Sequence, residues 1–371
     1  MNLATDDEYD AVAELARDVG LAVLAPSARR AEEDARIPDA TWSKLFSTGL
    51  TVPVAEHLGG NGVPSSLSRM VAVRNLAYGD AGIAMAAVWS GAVAGLVAEH
   101  GTTAQRQRLS GLVTDPSTRC GLAFYEGYGR GLGELSTTIA VEGDSVRVTG
   151  HKCAVPFADV ANPLLVIGRD PASSALRAVL LTSADSGVVS SHRARGLGLD
   201  ATESGSLTID ATTSSDNLLG GPDLDSDHLT VSMQQLRLLV ASALLGTAQR
   251  AVEYAAQYAT TRVAFGNPIA SFQGVSFPLA DALMRVDASL LEVADVVSCL
   301  DRALDFDHDR VVAQAMDYAC RVAVQATRQA VQTLGGHGFI RDHPVELWFR
   351  SATALAALDF DPSCDSFEPA L

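Results

Sequence analysis

The chain is short of positive charge. Its 371 residues carry 27 Lys and Arg against 44 Asp and Glu, a formal net charge of −17, and no Lys/Arg cluster breaks the acidic balance. Duplex nucleic acid and anionic membrane surfaces are therefore poor partners, while a local basic spot for a small phosphate ligand remains open. Cysteine is also scarce. Cys120, Cys153, Cys299, Cys320 and Cys364 are odd in number, scattered, and in no CxxC pair. They read as free cytosolic thiols, with neither a disulfide frame nor a metal site. Long apolar runs are missing too. Leu238–Leu245 is too short to span a bilayer and contains Ser242. The acidic start, Asp6-Asp7-Glu8, lacks a charged segment followed by an apolar run, which argues against a secretory signal. The expected compartment is the cytoplasm.

What is present is ample apolar material. At 47% hydrophobic residues, the chain can build a large core and two or three domains. Residues 1–118 read as a helical domain: Asp10–Val23 and Ser68–Leu96 carry apolar residues at three-to-four spacing. Between them lies a turn-rich loop, Pro53–Gly62. Residues 119–222 change texture. Short β-rich runs (Ser136–Val141, Ser145–Thr149, Leu164–Ile167, Ala178–Leu181, Gly187–Val189, Ser206–Ile209) alternate with turns. Their spacing is that of a small barrel or sandwich, with no βαβ pattern. Residues 223–371 return to helical period, with Val231–Gln257, Pro278–Leu304 and Asp309–Leu334 each long enough for a bundle helix. The fold class expected is mainly α with a central β domain.

Two C-terminal motifs carry most of the chemistry. Gln332-Thr-Leu-Gly335-Gly336-His337-Gly338 closes a helical run, and Pro344 starts the next segment. Glycines there let backbone N–H groups approach an anion with no Cβ in the way. About seventy residues earlier stands Arg262-Val-Ala-Phe265-Gly266-Asn-Pro268-Ile269-Ala-Ser-Phe272-Gln273. Arg262 offers a planar fork of donors suited to phosphate oxygens. A plainer reading remains open: a solvated arginine and a glycine-rich helix C-cap. Other residues carry little. His337 and His343 have no nucleophile to pair with, and Glu203-Ser204-Gly205-Ser206 is not a Gly-x-Ser-x-Gly elbow.

Together the two motifs resemble the C-terminal half of the acyl-CoA dehydrogenase family, and the likeness runs over nearly the whole chain. The Pro53–Gly62 loop is similar to the family's Val-Pro-Glu-x-x-Gly-Gly-x-Gly turn, with two extra residues before Glu56. Gly150-His-Lys152 looks like its Gly-x-Lys, and Leu236–Ala251 looks like its long helix before the arginine motif. The resemblance implies a three-domain fold: N-terminal helical domain, small β-barrel or sandwich, C-terminal four-helix bundle. It implies FAD as cofactor, an acyl-CoA substrate, and α,β-dehydrogenation with hydride transfer to the flavin. It implies that Arg262, Phe265, Gln273, Gln332, Gly335 and Gly336 serve the pyrophosphate and adenosine end of a flavin bound across a subunit interface. Val155 falls on the strand that contacts the flavin ring. The partners implied are a second, identical or related subunit and an electron-transfer flavoprotein.

The chain departs from the family pattern in two places. The family's Thr-Glu-Pro-x-x-Gly-Ser-Asp reads Tyr125-Glu126-Gly127-Tyr128-Gly129-Arg130-Gly131, and its flavin-strand Thr is replaced by Pro156, which offers no donor. The two family positions for a catalytic glutamate fall on Asp359 and Leu236. Asp359 is the candidate base, one methylene shorter than glutamate; a solvated acid near a frayed terminus is the alternative. These departures resemble one subunit of the bacterial α2β2 type, in which each flavin sits between unlike subunits and one subunit's own site is degenerate. A homo-oligomeric dehydrogenase using Asp359 and a non-redox descendant of the fold are the other readings.

Overall fold

The computed structural model describes residues 7–127, 132–193, 195–302 and 307–358. The chain opens with α1 (Asp7–Val19), a π-helical turn at Gly20–Leu24, α2 (Ala25–Asp34) and α3 (Asp39–Ser47). A loop containing the Pro53–Gly62 stretch leads to α4 (Ser66–Gly79) and α5 (Ala81–His100), and two short helices follow, α6 (Thr103–Gln107) and α7 (Ser110–Thr114). Gly20 and Gly79 touch backbone to backbone: a Cβ on Gly79 would lie 2.1 Å from the Gly20 carbonyl oxygen. The absence of side chains at this crossing lets the first helices lie directly on α4.

The apolar period over Ser68–Leu96 predicts one helix, but the structure has two. Asp80 is extended (φ −159°, ψ 124°), and its carboxylate accepts the Ile83 N–H at 2.8 Å, capping α5. An aspartate before an apolar run is an N-cap signal. It is hidden here because the apolar period continues unbroken across it.

The middle of the chain forms the expected β unit, a single curled seven-stranded sheet. Its strands are β1 (Gly121–Ala123), β2 (Thr138–Glu142), β3 (Ser145–Val155), β4 (Leu164–Arg169), β5 (Leu176–Leu181), β6 (Ser186–Arg193) and β7 (Gly205–Ser214). The order is β1-β4-β2-β3-β7-β6, with β5 on β4. All six runs read from the sequence are strands; β1 is too short to announce itself. The two-residue turn Gly143-Asp144 joins β2 to β3, and Gly143 takes the positive φ it needs. Alternate residues such as Val146, Val148, Leu207 and Ile209 bury in a core separate from the helical one.

The C-terminal helices are α8 (Ser226–Thr261), α9 (Gln273–Asp301), α10 (His308–Leu334) and α11 (Val345–Leu358), with a small hairpin, β8 (Val263–Ala264) and β9 (Asn267–Pro268), after α8. The helical period starts at Pro278, yet α9 begins five residues earlier. Proline removes one bond, to the carbonyl four residues back at exposed Gly274, and so close to the N-terminus the loss is tolerated. One continuous core joins α4, α5, α8, α9, α10 and α11, through Leu76, Met85, Leu244, Val293, Met316 and Leu355. By length and hydropathy, α5 and α8 could cross a membrane, but 89% and 83% of their most apolar windows are buried within the protein. The apolar stretches are thus longer than Leu238–Leu245, and core packing accounts for them.

Candidate functional site

The two C-terminal motifs meet at the end of α8. Arg262 caps this helix in an extended conformation, its N–H donating to the Tyr258 carbonyl at 2.9 Å. The hairpin turns at Phe265 and Gly266, both at positive φ (52° and 84°), the geometry of a type I′ turn. This throws Phe265 outward, 94% exposed, with its ring edge-on to Phe272 at 6.4 Å. Gln273 begins α9 and is exposed.

From the other side, α10 ends at Leu334, and Gly335 adopts φ 60°, ψ −131°, a conformation favourable only to glycine. No atom lies within 4 Å of where a Cβ on Gly335 or Gly336 would stand. Gln332 is exposed beside them. The His337 ring lies 6.4 Å from the ring of Tyr258, and His343 Nδ1 is 2.8 Å from the Tyr254 hydroxyl. So the glycine turn packs on the last turns of α8, next to the helix cap that carries Arg262. The surrounding surface is apolar: Phe277, Met284 and Leu291 are exposed at seven-residue spacing along α9. That spacing puts them on one helix face, continuous in sequence with the exposed hairpin.

The β unit builds a second region. Lys152 is fully buried; its Nζ donates to Glu126 Oε1 at 2.8 Å and to the Phe124 carbonyl at 3.1 Å. Glu126 also accepts from the backbone N–H groups of Ser136 (2.6 Å) and Thr137 (2.9 Å). Burial opposes ionisation of Glu126, but the Lys152 charge and these hydrogen bonds prevail and bring its pKa down to about 2. Burial likewise pushes Lys152 down to about 8 against the pull of Glu126. The pair pins the segment before β2 to β3.

Register on β3 shifts between Lys152 and Val155, and Ala154 takes φ 51° there. Val155 is wholly buried in the β core and exposes no surface to a ligand in the isolated chain. Its neighbour Ala154 instead lines a cavity of about 400 Å³, with Gly198, Thr202, Ser206, Thr353 and Leu358. Pro156 is buried as well. The wall of this cavity is fixed by Arg350, which donates to the Leu197 carbonyl at 2.7 Å and pairs with Glu32 and Glu346, each at 2.8 Å. The last residue of α11, Leu358, lies on this cavity; Asp359 follows it and lies outside the described residues, as do Tyr128–Gly131.

A further cavity, about 380 Å³, opens between α4, α5, α8 and the Pro53–Val63 loop, lined by Arg69, Gly95, Leu96, Glu99, Ser232 and Leu236. Leu236 is 7% exposed and brings no proton acceptor to it. Sequence reasoning missed Arg69 and Glu99. Their signal in the sequence is slight: Arg69 is one of two arginines in α4, and Glu99 stands in the last turn of α5.

Comparison with known proteins bears on the family and the fold. Residues 6–114 match the model of the acyl-CoA dehydrogenase N-terminal domain, and residues 228–359 match that of the C-terminal domain. A probable acyl-CoA dehydrogenase of Bacillus subtilis, YngJ, is 27% identical over 364 residues, covering 96% of this chain and 95% of that protein. The mitochondrial short-chain specific acyl-CoA dehydrogenase of Bos taurus is 28% identical, covering 91% of this chain and 82% of that protein. The structure of butyryl-CoA dehydrogenase from Megasphaera elsdenii superposes with a TM-score of 0.86 at 25% identity, over 98% of this chain and 97% of that one. With both family models matched across most of the helical sequence and the architecture shared from end to end, the chain belongs to the acyl-CoA dehydrogenase family.

Proposed function

We propose that the chain is a subunit of an FAD-dependent acyl-CoA dehydrogenase that introduces a double bond between the α and β carbons of an acyl-CoA thioester. One observation carries this reading: the Arg262 helix cap and the open Gly335-Gly336 turn come together on an exposed apolar face. A turn open where Cβ atoms would stand, beside a guanidinium fork, suits a diphosphate. The residues present therefore fit FAD. Arg262, Gln273, Gln332, Gly335 and Gly336 would hold its pyrophosphate and adenosine end, and Phe265 and Phe272 would pack against its rings. FAD, when bound, supplies the acceptor for the β-hydride.

An apolar face of this kind is covered by a second subunit rather than left in water. We assign that role to a related chain in an α2β2 assembly, acting in lipid or steroid side-chain catabolism and passing electrons to an electron-transfer flavoprotein. Val155 and Pro156 support the unlike-subunit arrangement, because both are buried and Pro156 has no N–H to donate beside the Ala154 cavity. A same-chain oligomer with Asp359 as base is the second reading, supported by the position of Leu358 on that cavity. In a water-poor pocket the basicity of a carboxylate rises, which suits it to take the α-proton.

Single-turnover bleaching of the flavin by an acyl-CoA, with wild-type chain and with Asp359→Asn in otherwise identical assemblies, decides between them. The first reading expects unchanged bleaching. Loss of bleaching confined to Asp359→Asn makes this the catalytic subunit. Absence of bleaching in every assembly overturns the dehydrogenase reading itself.

A further inference from the structure

The cavity between α4, α5 and α8 has mostly apolar walls, among them Pro53, Ala92, Leu96 and Leu236. Arg69 on α4 is different. It is half-buried, and among the described residues its guanidinium has no hydrogen-bond or ion-pair partner. Burial lowers its pKa, and only the longer-range pull of Glu99 and Asp301 acts against that. Both carboxylates are engaged elsewhere. Glu99 lies 3.3 Å from the Ser232 hydroxyl and 3.6 Å from His100 Nε2, and Asp301 accepts from the Ser66 hydroxyl at 2.6 Å. A second cation, Arg106, also lines the cavity and donates to the Glu99 carbonyl at 2.8 Å. Among the charged side chains that line the cavity, Arg69 and Arg106 outnumber Glu99, in a protein whose net charge is −17.

A guanidinium taken partly out of water with unused donors is costly unless something accepts from it. Its planar fork matches a carboxylate in particular. The walls ask for an apolar chain and the arginine for an anion at the end of that chain. Resting on the acyl-CoA reading above, we propose that this cavity receives an acyl group ending in a carboxylate, that is, a dicarboxylic acyl thioester, with Arg69 as the specificity-determining residue.

The test is equilibrium binding of three probes to the assembled protein by calorimetry: adipyl-CoA, hexanoyl-CoA and free CoA. The two thioesters share a six-carbon chain and differ in the terminal carboxylate. Wild type should bind adipyl-CoA about tenfold more tightly than hexanoyl-CoA, the scale of a charged hydrogen bond. Arg69→Met should bring the two to parity while leaving hexanoyl-CoA within about twofold, and Arg69→Lys should restore part of the preference. Equal binding by wild type overturns the proposal without need of a variant, as does a preference that survives Arg69→Met. If Arg69→Met weakens all three probes alike, the arginine reads the phosphates of the carrier and the proposal fails. If hexanoyl-CoA and adipyl-CoA both fail to bind wild type, the acyl-CoA reading falls, and this inference with it.

Discussion

The Tyr258 ring lies 6.4 Å from the ring of His337, and through this contact two motifs about seventy residues apart become one surface. Tyr258 also accepts the Arg262 N–H, so the same residue fixes the cap that carries the cation and packs on the turn that carries the glycines. The two glycines differ in a useful way. Gly335 needs its positive φ, whereas Gly336 does not and has open space at its Cβ position. Gly335→Ala should cost about 1–3 kcal/mol of stability through backbone strain. Gly336→Ala should melt with wild type yet lose FAD, because its methyl enters ligand space. Thermal melts alongside flavin content per chain check both; a Gly336→Ala protein that keeps its full flavin removes this turn from the cofactor site.

Arg262 gives an independent check. Arg262→Ala should weaken FAD retention roughly ten- to a hundredfold, the scale of a charge-assisted bond to phosphate. Arg262→Lys should recover only part, since a point charge cannot reproduce the fork. Dissociation constants from fluorescence titration of the apoprotein measure this, and equal values for all three proteins would refute the assignment.

The buried Asp80 sets a pH signature. Burial, reinforced by Glu32 against the Ile83 and Gly82 hydrogen bonds, raises its pKa from 3.8 to about 6. Below 3.8 the group is protonated in both folded and unfolded chains; above 6 it is ionised in both, at a cost to the folded one. Its contribution to stability therefore falls as pH rises from about 4 to 6. Asp80→Asn keeps the helix cap and removes the charge. It should stabilise the protein by about 1–2 kcal/mol at pH 7, with the gain vanishing near pH 4. Denaturant melts across that range test it, and a gain that does not change with pH contradicts it.

The Lys152–Glu126 pair predicts non-additivity. Lys152→Met leaves a carboxylate buried without its cation and should cost about 3–5 kcal/mol. Adding Glu126→Gln should recover much of that loss, because the stranded charge is gone. Equal destabilisation of the single and double variants would show that Lys152 acts through packing alone.

Much of this architecture can be read from the sequence because it rests on periodicity. The six expected strands and the three long bundle helices follow from alternation or three-to-four spacing. The break at Asp80 does not, since the apolar pattern runs through it and only tertiary packing selects the cap. The site divides the same way. Arg262 and the Gly335-Gly336 pair stand out in the sequence, and the structure brings them together at the end of α8; that they serve a cofactor along with Gln273 and Gln332 is what the resemblance implies. Val155 was placed by resemblance, and register decides its side chain: the shift after Lys152 turns Val155 into the core and Ala154 toward the cavity. Arg69 needed three dimensions, because one of two arginines in a helical run says nothing of the cavity that three helices and a loop form around it.

On the reading proposed above, this chain holds FAD together with a related subunit. The most direct measurement is FAD released on denaturation, per chain, from the protein purified alone and from the protein co-purified with such a subunit. Little flavin is expected in the first and stoichiometric flavin in the second. A fully loaded oligomer of this chain alone, or a colourless protein in both preparations, would contradict it.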